Sequence, residues 1–308
     1  MNHCQIVPST EIDPNKWDAC VTLNANGLIY AQYQYLNILC KNWSGLIIGN
    51  YETILPLPWK IKWGIRYYYA PAFIQQLGLI GNQELISIDL LKQMLRGFAR
   101  YGDLFWNDQN EQIAASLGAK EKTNFVINLN HSYEKIYKDY SNGLIQNIQK
   151  AFKNGLVYTH AESPDNAIAW YHAQYGARIK RLSTVDFRNF NTICHQNNNN
   201  IRCIIREAKH PNSKQILATA ILLKDNKRVY LMVNAISKLG RKLSANHFLI
   251  DSILKEFSEQ CLLFDFEGSE LAGVSEFYQN FQPINLPYYH TVHNTFPKGI
   301  KWLIQYFH

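Results

Sequence analysis

Residues 85–108 read LISIDLLKQMLRGFARYGDLFWND, and residues 245–268 read ANHFLIDSILKEFSEQCLLFDFEG. Setting Phe105 on Phe264, an offset of 159, places Leu90 on Leu249, Leu91 on Ile250, Met94 on Ile253, Leu95 on Leu254, Phe98 on Phe257 and Leu104 on Leu263 without a gap. Further back, the same offset sets Gly81 on Gly240. Apolar residues at i, i+1, i+4, i+5 and i+8 mark one buried helix face in each copy, and the apolar run after it marks a short buried strand. An offset near half of 308 residues predicts two similarly built domains, over 1–130 and 131–308.

Working outward from the second copy, residues 141–155 read as a helix carrying Leu144, Ile145, Ile148 and Phe152, stopped by Gly155. Ser163-Pro164-Asp165 opens another helix that runs to about Gly176, and Ser183 with Asp186 forms a capping box for a third through Phe187, Phe190 and Ile193. Strand-like runs at 201–207, 215–223 and 228–236 are separated by turns at His210-Pro211-Asn212 and Asp225-Asn226, which predicts an antiparallel meander. A strand over 262–266, a helix over 271–281 and an extended stretch through Tyr288-Tyr289 complete the order. The class is mixed α+β, each half a mostly antiparallel mixed sheet flanked by helices.

Composition bounds the function. Hydrophobic residues make up 47%, enough for one large core or two ordinary ones, and charged residues only 18%. No stretch approaches the roughly 18 apolar residues of a spanning helix, and the first residues have neither a basic nor an apolar signal region, so a cytoplasmic protein is expected. Six cysteines at 4, 20, 40, 194, 203 and 261 form no CxxC pair. The net charge of +7 favours an anionic partner, but no Lys/Arg run exceeds two residues, so no nucleic-acid arm is marked and DNA is not expected as a partner. No GxSxG, GxxxxGKS or HExxH motif occurs.

The stretch FDFEGSELAGVSEFYQNF over 264–281, in that element order, resembles the GNAT acyltransferase fold in its tandem, FemAB-like form, with the first domain degenerate. Pro71-Ala72-Phe73-Ile74-Gln75-Gln76-Leu77-Gly78 is similar to the family's P-x-F-x-Q-x-L-G segment, and Asn147-Ile148-Gln149-Lys150-Ala151 to its N-I-x-K-A helix. The resemblance implies a splayed strand pair, here 228–236 and 262–266, whose unpaired backbone receives the donor. It also implies an anion-binding loop before a helix, here Ser237-Lys238-Leu239-Gly240-Arg241-Lys242, with Ser244 as the helix cap. Against the family's Q/R-x-x-G-x-G/A loop, this one keeps Gly240 but has Ser237 first and Lys242 last. The counterpart in the first half, Gln75 to Ile80, keeps Gln75 and Gly78 and ends in Ile80.

The roles that follow are expectations. Asp265 and Glu267 alternate with Phe264 and Phe266, so the two carboxylates are expected on one strand face. Glu267 is the candidate base; Asn234, Asp265 and Ser269 are candidates for the acceptor; and Tyr278 sits where the family carries the tyrosine that protonates the leaving group. Ala235 and Ile236 are expected to supply a backbone N–H to the oxyanion, with Ser237, Gly240, Arg241 and Lys242 holding the donor. Gly240 is expected to let a phosphate approach closely. The resemblance implies transfer of an acyl group from an activated donor such as acyl-CoA to an amine on a small molecule or precursor, with no metal. The alternatives are a FemAB-like transferase using aminoacyl-tRNA on a cell-wall precursor, and a non-catalytic binding protein. Other groupings point elsewhere. His290 and His293, three apart in an extended stretch, fall on opposite faces, which disfavours a shared metal. Cys194-His195 with Cys203 lacks a fourth ligand at zinc spacing. Trp59, Trp63 and Tyr67-Tyr68-Tyr69 read as sheet packing, with a sugar-stacking groove as the alternative.

Overall fold

The computed structural model describes residues 3–176, 182–196, 200–268 and 272–297. The chain divides into two units, one of Met1–Lys122 with Pro287–His308, the other Thr123–Leu286.

The first unit begins with β1 (Cys4–Pro8), α1 (Pro14–Leu23), α2 (Tyr33–Leu39), β2 (Trp43–Ile48), β3 (Thr53–Lys62), β4 (Ile65–Tyr68) and β5 (Ile80–Gly81). The first repeated segment follows as α3 (Ile88–Phe98) and β6 (Tyr101–Trp106), then α4 (Glu111–Ser116) and β7 (Lys120–Lys122). Ser87 starts α3 by accepting the N–H of Leu90 on its hydroxyl, and Leu91 and Leu95 of the predicted face are buried in a cluster with Leu46, Leu57 and Trp106, while Leu90 departs from it and is 39% exposed. The second unit holds β8 (Phe125–Asn128), α5 (Tyr133–Lys138), α6 (Asn142–Lys153), β9 (Val157–Ala161), α7 (Asp165–Tyr175) and α8 (Thr184–His195). The meander β10 (Arg202–Lys209), β11 (Ile216–Lys224) and β12 (Arg228–Ile236) comes next and is antiparallel as expected. The unit closes with α9 (Lys238–Lys242), α10 (Ala245–Phe257), β13 (Leu263–Asp265), α11 (Ala272–Gln279) and β14 (Ile284–Asn285).

Local chemistry explains the ends of these elements. Ser141 caps α6 through the N–H of Leu144, Gly155 turns the chain out of it at φ +66°, and the Ser183–Asp186 capping box is present. Phe152 departs from its expected core position and is 60% exposed. β9, VYTHA, was not expected; only one edge of it pairs, on β10, and two of its five residues are exposed, so the hydrophobic pattern carries little signal.

The last strand, β15 (Tyr288–Asn294), lies in the first unit's sheet between β6 and β7. Read from one edge, the first sheet is β7-β15-β6-β4-β3-β2-β1 and the second is β14-β8-β13-β12-β11-β10-β9. In each, the third and fourth strands are parallel and the other neighbours antiparallel. The two sheets thus repeat one topology and exchange one strand: β8 follows the first repeat but completes the second sheet, and β15 follows the second repeat but completes the first. A boundary at residue 130 with 131–308 as one domain assigns both strands to the wrong sheet. Which open edge a strand meets leaves no trace in its hydropathy. Among the described residues, no helix is long and apolar enough to cross a membrane.

Candidate functional site

In the second unit β12 and β13 pair only at Arg228↔Leu263, Val229↔Phe264 and Tyr230↔Asp265. There β13 ends and the chain turns away with Glu267 at φ +64° and Gly268 at φ +54°, while β12 continues to Ile236. This is the expected splay. The other edge of β12 stays paired with β11 as far as Ala218↔Ile236, and the N–H of Ser237 donates to the Leu217 carbonyl at 2.9 Å. Hydrogen-bonded pairs alternate along an antiparallel ladder, so Ala235 spends its backbone groups on Thr219 while Asn234 and Ile236 direct theirs into the gap. Of the two residues expected to offer a backbone N–H, Ile236 thus directs its N–H into the gap and Ala235 does not. One gap-facing group is already engaged: Gln174 of α7 donates to the Ile236 carbonyl at 2.7 Å, and the buried Oε1 of Gln174 takes no hydrogen bond.

Asp265 is fully buried. Its carboxylate pairs with the Arg228 guanidinium at 2.8 Å, accepts from the Asn124 amide at 3.2 Å and accepts the N–H of Glu267 at 2.9 Å. The expected shared face for Asp265 and Glu267 does not form, because the strand stops between them. Asp265 instead holds the turn that places Glu267, which is half-buried. Tyr278 of α11 is buried and packs its ring, tilted by 35°, against Phe266 with centroids 4.5 Å apart. Burial, followed by the charges at Tyr171, Glu267 and Tyr175, raises its pKa well above the ordinary tyrosine value. Glu267, Tyr171 and Tyr175 of α7 thus lie within electrostatic reach of Tyr278. Tyr171, Gln174 and Tyr175 escaped the sequence reading although their i, i+3, i+4 spacing places them on one helix face. Asn234 is tied to Asn246 of α10 at 2.8 Å, and Ser269 lies outside the described residues.

The expected anion loop is built differently. Ser237 caps α9, its hydroxyl accepting the Gly240 N–H at 2.8 Å. Gly240 is buried, and a β-carbon there would stand 2.3 Å from the Leu217 carbonyl oxygen, so the glycine serves close packing of α9 on β11. Ser244 adopts φ +58° and donates to the side chain of Asn147 at 2.7 Å, without capping α10. The short helix α9 therefore stands between β12 and α10, with Lys238, Arg241 and Lys242 exposed on it. In the first unit the equivalent opening between β4 and β6 is closed by the chain itself: Leu77 bridges to Trp106, and Asn110 bonds both the N–H and the carbonyl of Leu79. Gly78, at φ +109°, leaves no room for a β-carbon beside Asn110. The Gln75–Ile80 counterpart of the loop is part of this closure.

The remaining candidates lie apart from the gap. His290 bonds Asp103 at 2.7 Å and His293 bonds the Ala99 carbonyl at 3.0 Å. His195 bonds Asp165 at 3.0 Å, and Cys194 is buried. Cys203 lines a cavity of about 460 Å³ beside β10, where Arg206 forms a two-point ion pair with Glu256 that also accepts the Tyr158 hydroxyl at 2.5 Å. Among the described residues no three His, Cys, Asp or Glu side chains gather as a metal site. Trp59 and Tyr68 pack as expected, the latter fully buried, while Trp63 is 71% exposed.

No family model matches the chain, and no curated protein matches it in sequence. Solved structures do match over nearly its whole length. FemX aligns with a TM-score of 0.68 at 12% identity, covering 98% of this chain and 100% of FemX. The C-terminal domain of a putative lysylphosphatidylglycerol synthetase from Agrobacterium fabrum gives 0.60 at 13%, covering 97% and 95%. A tandem GNAT protein from the clavulanic acid biosynthesis pathway gives 0.55 at 12%, covering 96% and 100%.

Proposed function

With the tandem GNAT-like fold of FemX as its scaffold, we propose that this chain is a transferase that moves an acyl group, aminoacyl groups included, from an activated ester or thioester to an amine. The observation that carries this reading is the β12–β13 gap with the Glu267 turn where the strands part, and Tyr278 buried behind Phe266 within electrostatic reach of Glu267. The amine attacks the donor carbonyl, and the gap-facing N–H of Ile236 stabilises the oxyanion. Glu267 takes the ammonium proton, and Tyr278 gives its proton to the leaving oxygen or sulfur. Each atom is then accounted for: one C–N bond forms, one C–O or C–S bond breaks, and the departing alcohol or thiol leaves protonated.

Two observations favour an ester-linked aminoacyl donor, as on aminoacyl-tRNA, over acyl-CoA. The start of α10, where the GNAT resemblance implies an anion site, is closed off: Ser244, Ala245 and Asn246 are buried and Ser244 is bonded to Asn147. A tyrosine whose pKa is raised also suits a leaving alkoxide, which needs a proton far more than a thiolate does. One named neighbour, the putative lysylphosphatidylglycerol synthetase, is consistent with aminoacyl chemistry, and the exposed Lys238, Arg241 and Lys242 suit a polyanionic carrier. The test supplies radiolabelled aminoacyl-tRNA or acyl-CoA together with a mixture of amines and precursor peptides. Amide-linked label from aminoacyl-tRNA is expected, reduced roughly a hundredfold or more in Glu267→Gln with an unchanged melting temperature. Label from acyl-CoA alone would reverse the donor assignment, and no transfer from either would leave a binding protein.

A further inference from the structure

β3 and β4 form a ribbon that runs out beyond the first unit's sheet. Pairing of β2 with β3 ends at Trp43↔Pro58, and β4 meets β6 only at Tyr67 and Tyr68. Between those limits the strands pair with each other, at Lys60↔Tyr67, Ile61↔Arg66 and Lys62↔Ile65, and turn at Trp63-Gly64, both at positive φ. The base of the ribbon is anchored. The Arg66 guanidinium lies 4.6 Å from the Trp59 ring and 4.5 Å from the Phe98 ring, and it donates to the Phe98 carbonyl at 3.4 Å.

The tip is built otherwise. Trp63 is 71% exposed and Ile61 57%, two large apolar side chains within three residues of each other at the most outlying turn of the ribbon. Single exposed apolar residues need no explanation, but a paired set on an anchored ribbon does. The charge along this stretch of chain has one sign: from Thr53 to Gln83 the sequence has no acid, and its cations are Lys60, Lys62 and Arg66. Lys60 lies over the Tyr69 ring at 3.9 Å and Lys62 over the Trp63 ring at 5.0 Å, so both ammonium groups stand beside aromatic surface.

We propose that this ribbon docks the protein on an anionic lipid surface, with Trp63 and Ile61 entering the interface and Lys60 and Lys62 meeting the lipid phosphates. Tryptophan favours the boundary between headgroups and acyl chains, and weak insertion combined with basic residues is the pairing of two signals that makes peripheral binding stable. An RNA strand fits less well. The aliphatic Ile61 offers no stacking face, and Lys62 stands over the Trp63 ring that a base would need. This assignment does not rest on the transferase reading, and neither stands or falls with the other.

The test is co-sedimentation of the full chain with vesicles of phosphatidylcholine, with and without phosphatidylglycerol. Binding is expected on the anionic vesicles only and should weaken as salt is raised. Trp63→Ser should lower partitioning roughly tenfold, and Lys60→Gln with Lys62→Gln by about twenty-five-fold, from roughly fivefold per lysine. Circular dichroism of the variants should match the parent, and Glu267→Gln should bind vesicles as the parent does. Equal sedimentation with both vesicle types, or unchanged partitioning of Trp63→Ser, would overturn the proposal. So would loss of single-stranded RNA retention in that variant with no vesicle binding by the parent.

Discussion

Gly240 stands where two physical descriptions of one glycine give opposite signs. As a phosphate-approach residue it would accept a methyl group with the fold intact and donor binding weakened. Inside the helix α9, alanine would even be favoured by about 1 kcal/mol. The backbone of β11 decides otherwise, since the added carbon would stand 2.3 Å from the Leu217 oxygen. Gly240→Ala is therefore expected to destabilise the protein by about 2 kcal/mol in urea unfolding, and a neutral or stabilising result would restore the binding role. Asp265 and Glu267 teach a related lesson. Their residue types were legible as two carboxylates at the end of a buried strand, but their directions were not. The turn between them depends on Arg228 and Asn124, 37 and 141 residues away from Asp265 in sequence.

At the scale of one element, α10 carries a buried carboxyl and a half-buried imidazole whose pH effects oppose each other. Burial pushes the Asp251 carboxyl up to about 6, although it accepts the Tyr133 hydroxyl at 2.9 Å. Its contribution to stability is full below the unfolded value near 4 and is lost as pH rises through 6. Burial, and then the charge of Lys150, pushes His247 down to about 4. Its contribution is full above the unfolded value near 6.5 and is lost as pH falls through 4. Each is worth on the order of 3 kcal/mol at most. Asp251→Asn should make stability fall more steeply between pH 6.5 and 4, and His247→Gln should flatten or invert that slope; unfolding free energies across this range check both. The helix itself was legible in full, because its apolar face repeats that of α3. The partners of its polar groups were not, since Tyr133 comes from α5, 118 residues earlier.

At the scale of the whole molecule, the exchanged strand makes the two units unequal as separate chains. Residues 123–286 contain every strand of the second sheet, whereas residues 3–122 lack β15, which lies between β6 and β7. A chain of 123–286 is therefore expected to melt cooperatively alone, while 1–122 should not until a peptide of 287–297 is supplied; cooperative melting of 1–122 unaided would show that β15 is dispensable. The repeat at offset 159, the caps of α6 and α8, the meander and a short buried strand within 262–266 were all determined by the sequence alone. Each rests on a period or a cap that spans only a few neighbouring residues. Only the tertiary structure decided where β12 and β13 part, which backbone groups of β12 face that gap, which sheet β8 and β15 complete, and that Trp63 stands in solvent while Trp59 packs. Those outcomes depend on ladder phase and on contacts between distant segments, and one local pattern is compatible with more than one of them.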